Sequence, residues 1–365
     1  MIYAGQEALL YWEKHRDTTV NSKSLIDQLF SRADILRTWY DMWINPEQVL
    51  WAASYDQSTE MPLIFVNLFG KLVPSLAAPT NEYQWYAPIV GSRSKVSAVE
   101  IAQQLIALPR WYYIKIQHID IDEEFWRAFL QTFQQKGFIV STDPTMRIGT
   151  VEIGVGQEEY EGKLHGDFRR ELKRRWRQLE HAHGACRVVV SSRAHDIGDA
   201  FKDGAALEKR GWKGAHNTAI DQNPQAFHYF MQLAHAAAAH KEVRLIRLQC
   251  AGTTIAFQYY LIHHNEAYLL KTAYDEDFSR FGPGQLAVMK SLGILREQGV
   301  RKLNFFGQLS TWHTPWQPTV TQYSRLVIAR PQVLPYLITL PYRGYAYIKK
   351  ISWLYRALCQ WRGIN

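Results

Sequence analysis

The residues best suited to chemistry lie in the second half of the chain, in Ser279-Arg280-Phe281-Gly282-Pro283-Gly284-Gln285-Leu286, just ahead of a helical pattern. Glycine lets a backbone approach a ligand closely, and proline suits the first turn of a helix. The free N–H groups of a helix start, helped by the macrodipole, then attract a pyrophosphate. Arg280, Gly282, Gly284, Gln285 and Leu286 are the candidate residues for such a cofactor. Gly-Pro-Gly also serves as an ordinary turn, so the context has to decide.

Other signals point elsewhere or nowhere. Arg169, Arg170, Lys173, Arg174, Arg175 and Arg177 place six positive charges within nine residues. Such a helix segment can engage the phosphates of a lipid-linked sugar, a tRNA acceptor end or a membrane surface, or simply face solvent. The stretch from Gly156 to Lys163 is a poor P-loop: five residues separate Gly156 from Gly162, and Leu164 stands where Mg²⁺ needs Ser or Thr. Nucleotide hydrolysis is thereby excluded. His181 and His183 fall on different faces of a helix, and no tetrahedral ligand set accompanies them, so no metal is expected. Cys186, Cys250 and Cys359 are odd in number and far apart. They signal neither a disulfide framework nor a zinc site, and fit a reducing cytosol.

Holding the loop in place requires ordered elements, which the hydrophobic patterns supply. In the first half, strands are expected over 49–55, 62–69 and 83–90, a helix over 96–108, and a strand over 111–117. A helix over 122–136 follows, with Phe125, Phe129 and Phe133 on one stripe and Gly137 at its end. Two short strands, 138–141 and 147–153, close the unit. A connecting helix over 164–183 carries the basic run. In the second half, Asn223 caps a helix that starts at Pro224 and runs to about His240. Strands over 243–249, 254–262 and 267–274 make a meander, and a helix over 285–298 and a strand over 302–306 follow the glycine loop.

The ordered blocks carry a resemblance. They are Phe168-Arg169-Arg170-Glu171-Leu172 with Arg175 to Leu179, and Leu207-Glu208-Lys209-Arg210-Gly211-Trp212-Lys213-Gly214. Ala226-Phe227, Arg244-Leu245 with Leu248, Ile255-Ala256, Lys271-Thr272-Ala273-Tyr274-Asp275-Glu276 and Phe281-Gly282-Pro283-Gly284 continue the series. Over roughly 168–316 the chain resembles the FemAB-like branch of the GNAT acyltransferase superfamily, specifically the type annotated with cellulose or exopolysaccharide biosynthesis (CelD/BcsL). It departs from that pattern at Asn304, where an acidic residue is usual, and at Trp312-His313, where the family has Tyr-Lys.

The resemblance implies an α/β (α+β) fold of tandem GNAT-like units, each a mixed central sheet flanked by helices. It implies an acyl group, acetyl foremost, passing from acyl-CoA to an amine or hydroxyl of a sugar or glycan precursor in polysaccharide synthesis. Such a site must position both partners, deprotonate the acceptor and stabilise an oxyanion, with no covalent nucleophile. Glu208 is the first candidate base and Asp275 the second, while Tyr274 is placed to protonate the departing thiolate. His313 replaces the missing lysine as a donor, acid or base. Trp212, Lys213, Lys271 and Trp316 are the candidate acceptor-binding residues. Two alternatives stay open: an aminoacyl-tRNA donor, as in FemAB relatives, and a non-catalytic subunit of a synthase complex. The first half, with the single glycine of Gly91-Ser92-Arg93-Ser94-Lys95, is expected to shape the acceptor cleft.

At 365 residues the chain exceeds the roughly 250–300 residues of one core, so two domains are expected. The division is 1–160, a connecting basic helix over 161–183, 184–330, and a basic aromatic tail over 331–365. Hydrophobic residues make up 47% and charged residues 21%, which excludes disorder. The net charge of +8 resides at the end: nine Lys or Arg and no acidic residue follow Glu297. In the tail, Ile348, Ile351, Tyr355 and Leu358 form one helical stripe and Lys349 and Arg356 another. That pattern suits a helix on an anionic membrane surface near glycan synthesis, or one docked on its own domain. No signal peptide or spanning segment is evident, so a cytoplasmic protein, peripheral at most on the inner membrane, is expected.

Overall fold

Apolar residues alternating along short segments fold the first half into β1 (Ile2–Ala4), β2 (Val49–Ala53), β3 (Thr59–Leu68), β4 (Val73–Ala77), β5 (Val90–Gly91), β6 (Tyr113–Ile119) and β7 (Ile139–Glu152). Its helices are α1 (Leu25–Ser31), α2 (Ala33–Trp43), α3 (Lys95–Ala107) and α4 (Glu124–Gln135). The second half contains α5 (Gln157–Lys163), α6 (Gly166–His183), β8 (Cys186–Ser191), α7 (Ala194–Arg210), α8 (Trp212–Ala215) and α9 (Pro224–Ala239). It continues with β9 (Val243–Cys250), β10 (Thr253–His263), β11 (Glu266–Tyr274), α10 (Pro283–Glu297), β12 (Lys302–Asn304) and β13 (Thr319–Ala329). This computed structural model describes residues 1–8, 10, 25–68, 73–86, 89–109, 111–154 and 157–331; the tail beyond 331 lies outside them.

Each half repeats one scheme. Three antiparallel strands (β2-β3-β4 or β9-β10-β11) are followed by a loop, a helix (α3 or α10) and a strand (β6 or β12) parallel to the third. All described strands join one mixed sheet, ordered β1-β2-β3-β4-β6-β13-β7-β12-β11-β10-β9-β8, with β5 beside β3. The two units exchange strands. β13, from the end of the chain, lies between β6 and β7, and the far end of β7 pairs with β12.

Several elements differ from the sequence expectation. The two short strands at 138–153 are one strand, β7. Pro144 lacks an N–H, and the β7–β13 ladder absorbs it with an irregularity between Tyr323 and Ser324. The strand expected over 83–90 reduces to Val90–Gly91, because the Asn81 side chain accepts from the Tyr83 and Gln84 amides and turns the chain. The residues after that turn join the halves instead. Trp85 packs 4.7 Å from Phe306, Phe306 stacks on Phe30 at 5.2 Å, and the Tyr229 hydroxyl donates to Gln84 at 3.0 Å. Helix α7, not anticipated, lies on β10 through Gly204, where a Cβ would stand 2.5 Å from the Phe257 ring.

The cysteines also differ from expectation. Cys186 and Cys250 are cross-strand partners in the β8–β9 ladder and form a disulfide. Their separation of 64 residues conceals that adjacency. Closing so long a loop constrains the unfolded chain, so reduction is expected to cost about 2–4 kcal/mol. Urea unfolding with and without dithiothreitol measures this; equal midpoints would show that the bond contributes nothing.

Candidate functional site

The glycine loop forms as the alternation of strand and helix requires. β11 ends at Tyr274, a 3₁₀ turn over Glu276–Phe281 reverses the chain, and Gly282 enters α10 in the left-handed region, with φ +63 and ψ 53. That conformation favours glycine, and a Cβ here would also stand 2.6 Å from Arg175 Nη1. Arg175, from the basic helix α6, is thereby held against the loop. The backbone N–H groups of Gly284 and Gln285 have no partner among the described residues. They face a cleft of about 510 Å³, lined also by Glu208, Trp212, Lys213, Tyr274 and Trp312.

The acidic group of the cleft is Glu208, at the end of α7 and only 6% exposed. One carboxylate oxygen accepts from Lys213 Nζ and the other from the Ile220 amide at 2.8 Å. Lys213 Nζ also donates to the Thr272 carbonyl at 3.3 Å. A carboxylate with one bond to each oxygen keeps lone pairs for a proton from an acceptor. Trp212 turns outward, 55% exposed, and Tyr274, 38% exposed, packs its ring 3.5 Å from the position of a Cβ on Gly284. Glu208, Trp212, Lys213, Tyr274, Gly282, Gly284 and Gln285 thus share one cleft.

The other candidates are placed differently. Asp275 caps the 3₁₀ turn, accepting from the Asp277 amide at 3.1 Å, with Arg210 at 3.8 Å. Arg280 is exposed, with its guanidinium over the Phe281 ring at 4.5 Å, outside the cleft lining. The Leu286 side chain is fully buried in the core, and only its backbone belongs to the loop. Trp316 is 1% exposed, and its indole N–H donates to Gln285 Oε1 at 2.6 Å. Gln285 spends its other end on the Trp312 carbonyl at 2.7 Å, so its side chain pins α10 to the 312–316 loop.

Lys271 lies behind the cleft, 4.5 Å from the Phe230 ring centre and 5.9 Å from that of Tyr83. Burial lowers its pKa to about 8, partly offset by Glu208. Among the described residues, none of the first half lines the cleft that it was expected to shape; Tyr83 and Trp85 support the second half from behind. Sequence reasoning gave no role to Glu276, Ser279, Ser310 or Trp312, all of which line the cleft. Glu276 accepts from the Trp212 amide at 2.6 Å and fixes the entry to α8. Its one sequence signal was its place beside Asp275.

A family model described as an acetyltransferase (GNAT) domain matches residues 166–314, the span that builds this cleft. Solved structures share the fold over most of the chain's length. A conserved protein of unknown function from Bacteroides thetaiotaomicron is 12% identical, covering 90% of this chain and 100% of its own, with a TM-score of 0.57. FemX is 13% identical over 79% and 90%, with a TM-score of 0.55, and L-PGS from Bacillus licheniformis 11% identical over 85% and 96%, at 0.51. At such identities these likenesses show the fold alone. No curated protein matches the sequence. The strand preceding the last part of the GNAT domain ends in Asn304, whose side chain accepts from the Phe306 amide at 2.8 Å. No group of His, Cys, Asp and Glu suited to a metal occurs among the described residues.

His313 sits at the edge of the GNAT domain, buried against Phe305, and touches the cleft through Ser310. Its Nδ1 accepts from the Ser310 amide at 2.9 Å and lies 3.1 Å from the Ser310 hydroxyl, which leaves the ring proton on Nε2. Burial lowers its pKa to about 4. With the folded value below the unfolded one, the stabilisation from a neutral ring is complete above pH 6.5 and is lost as pH falls towards 4. His118, lowered to about 4 by burial and then by Lys115, adds to the same decline. The ring resonances of His313, assigned by their loss in His313→Gln, are expected to remain in the neutral form at about pH 5.5. Titration near the ordinary value would contradict the buried placement.

Proposed function

We propose that the chain is an N- or O-acyltransferase that moves an acyl group, acetyl foremost, from acyl-CoA to a sugar or glycan precursor of the cell envelope. The observation that carries this reading is the pair of unpartnered amides, Gly284 and Gln285, opening onto the same cleft as Glu208 and Tyr274. The amides and the start of α10 bind the pyrophosphate, and Arg175 adds positive charge beside the loop. The acceptor loses its proton to Glu208, directly or through a water, as its nitrogen or oxygen attacks the thioester carbonyl. The tetrahedral intermediate collapses with expulsion of the CoA thiolate, which takes a proton from the Tyr274 hydroxyl. Lys213 holds Glu208 in position. The exposed face of Trp212 at the cleft mouth suits stacking on a sugar ring.

A second reading keeps the transfer and changes the donor to an aminoacyl-tRNA. What favours it is the exposed basic surface of α6, with Arg170, Lys173, Arg174 and Arg177 outward, together with a fold shared with FemX. Ribonuclease treatment separates the two: activity with acetyl-CoA alone is indifferent to it, and activity dependent on charged tRNA is abolished.

Calorimetric titration with acetyl-CoA and a longer acyl-CoA tests the donor. Saturable binding is expected, and Gly284→Trp is expected to abolish it, because the indole would fill the space beside Tyr274. Absence of binding to either thioester would remove the acyl-CoA reading. Glu208→Gln is expected to lower kcat by about 10²–10⁴-fold with thioester affinity unchanged. An unaltered kcat would exclude Glu208 as the base.

A further inference from the structure

A second cavity, of about 560 Å³, lies between α6 and α10 and shares no lining residue with the cleft. That volume is within the roughly 300–1,000 Å³ of ligand sites. Its cations are Arg169, Lys173 and Arg177 from α6 and Lys290 and Arg296 from α10, and no carboxylate is among the described residues that line it. Arg169, Arg177, Lys290 and Arg296 make no ion pair among the described residues. Lys290 Nζ rests instead over the Trp176 ring at 3.8 Å, and the Arg296 guanidinium lies 5.8 Å from the Tyr160 ring. Gathering like charges around one cavity is unfavourable unless an anion enters it.

Three polar atoms here are buried and without hydrogen-bond partners: Arg169 Nε, Arg296 Nη1 and Tyr160 Oη, the last on a side chain that is 4% exposed. Buried polar atoms left unsatisfied call for a partner. The rest of the lining is apolar: Leu164, Leu172, Met289 and Leu292, closed by Trp316. Among the described residues of the lining there is no Asn, Gln, Ser, Thr, Asp or Glu to read a sugar hydroxyl or a base edge. This argues against a nucleotide or a glycan and for an anion with a hydrocarbon body.

We propose that this cavity binds the phosphate-bearing end of an aliphatic amphiphile, of the acyl phosphate, prenyl phosphate or phospholipid class, at a site separate from the transfer cleft. The phosphate meets the Arg and Lys groups, and the first carbons of the chain lie on the leucines and Met289. The proposal does not rest on the acyl-transfer reading.

Calorimetry of the full chain with monomeric dodecyl phosphate tests it, with inorganic phosphate and an uncharged dodecyl glycoside as controls. Saturable binding of dodecyl phosphate alone is expected, weakened about tenfold or more in the double variant Arg169→Gln/Arg296→Gln. Gly293→Leu provides a second variant, because a Cβ there meets nothing within 4 Å and the added side chain occupies cavity space without disturbing the helix. Circular dichroism confirms the folding of each variant, and acetyl-CoA binding is expected to be unchanged in both. Flotation with phosphatidylcholine vesicles, with and without an anionic phospholipid, identifies the source. Anionic vesicles held by the native chain and released by the variants mean a bilayer lipid, and binding of dodecyl phosphate alone means a soluble amphiphile. Undiminished binding in both variants, equal binding of inorganic phosphate, or competitive displacement by acetyl-CoA would overturn the proposal.

Discussion

β13 pairs with β7 along its whole length of 11 residues and with β6 over its last six, so the last described strand completes the sheet of the first unit. β7 returns the exchange by supporting β12, the strand that α10 must reach in order to run parallel to β11. Without that support, β12 would be a three-residue edge strand, and the loop that opens the cleft would lose its far wall. The placement of the Gly284 and Gln285 amides therefore depends on backbone ladders contributed by residues more than 100 positions away in either half. The aromatic seam of Phe30, Trp85 and Phe306 fills the junction beneath.

Within the second half, one side chain stands between the cleft and the cavity beside α6. Gln285 lines the cleft and is bonded to Trp316, which lines the cavity between α6 and α10. On one side the charge is balanced by Glu208 and Lys213, an arrangement suited to moving a proton. On the other side cations face hydrocarbon, with no counter-charge among the described lining residues. The electrostatic difference is large although the partition is thin.

Much of the meander, the helix after the glycine loop and the cap at Asn223 was legible, because local signals decide them: alternation, a proline at the first turn, an Asx cap. The α7 helix was not, since its glycines are weak helix formers and Gly204 is there for contact with Phe257. β13 was missed because its partners are remote, and the disulfide because cross-strand adjacency is invisible in a spacing. In the site, the loop glycines were readable as backbone requirements. Asp275, Arg280 and Trp316 read as functional types, yet their side chains serve a cap, a ring contact and the core. Residue type alone does not distinguish a group aimed at a ligand from one aimed at its neighbours.

The strand exchange also orders events in time. During synthesis β6 and β7 emerge well before β13, with the intervening stretch to residue 319 still to be made. At 5–20 residues per second, this leaves the slot between them empty for roughly 10–35 seconds. Throughout that interval the nascent first unit carries two open strand edges flanking a missing neighbour, the arrangement most prone to capture a strand from another chain. The native partner is made after both of its neighbours, so the sheet of the first unit closes late.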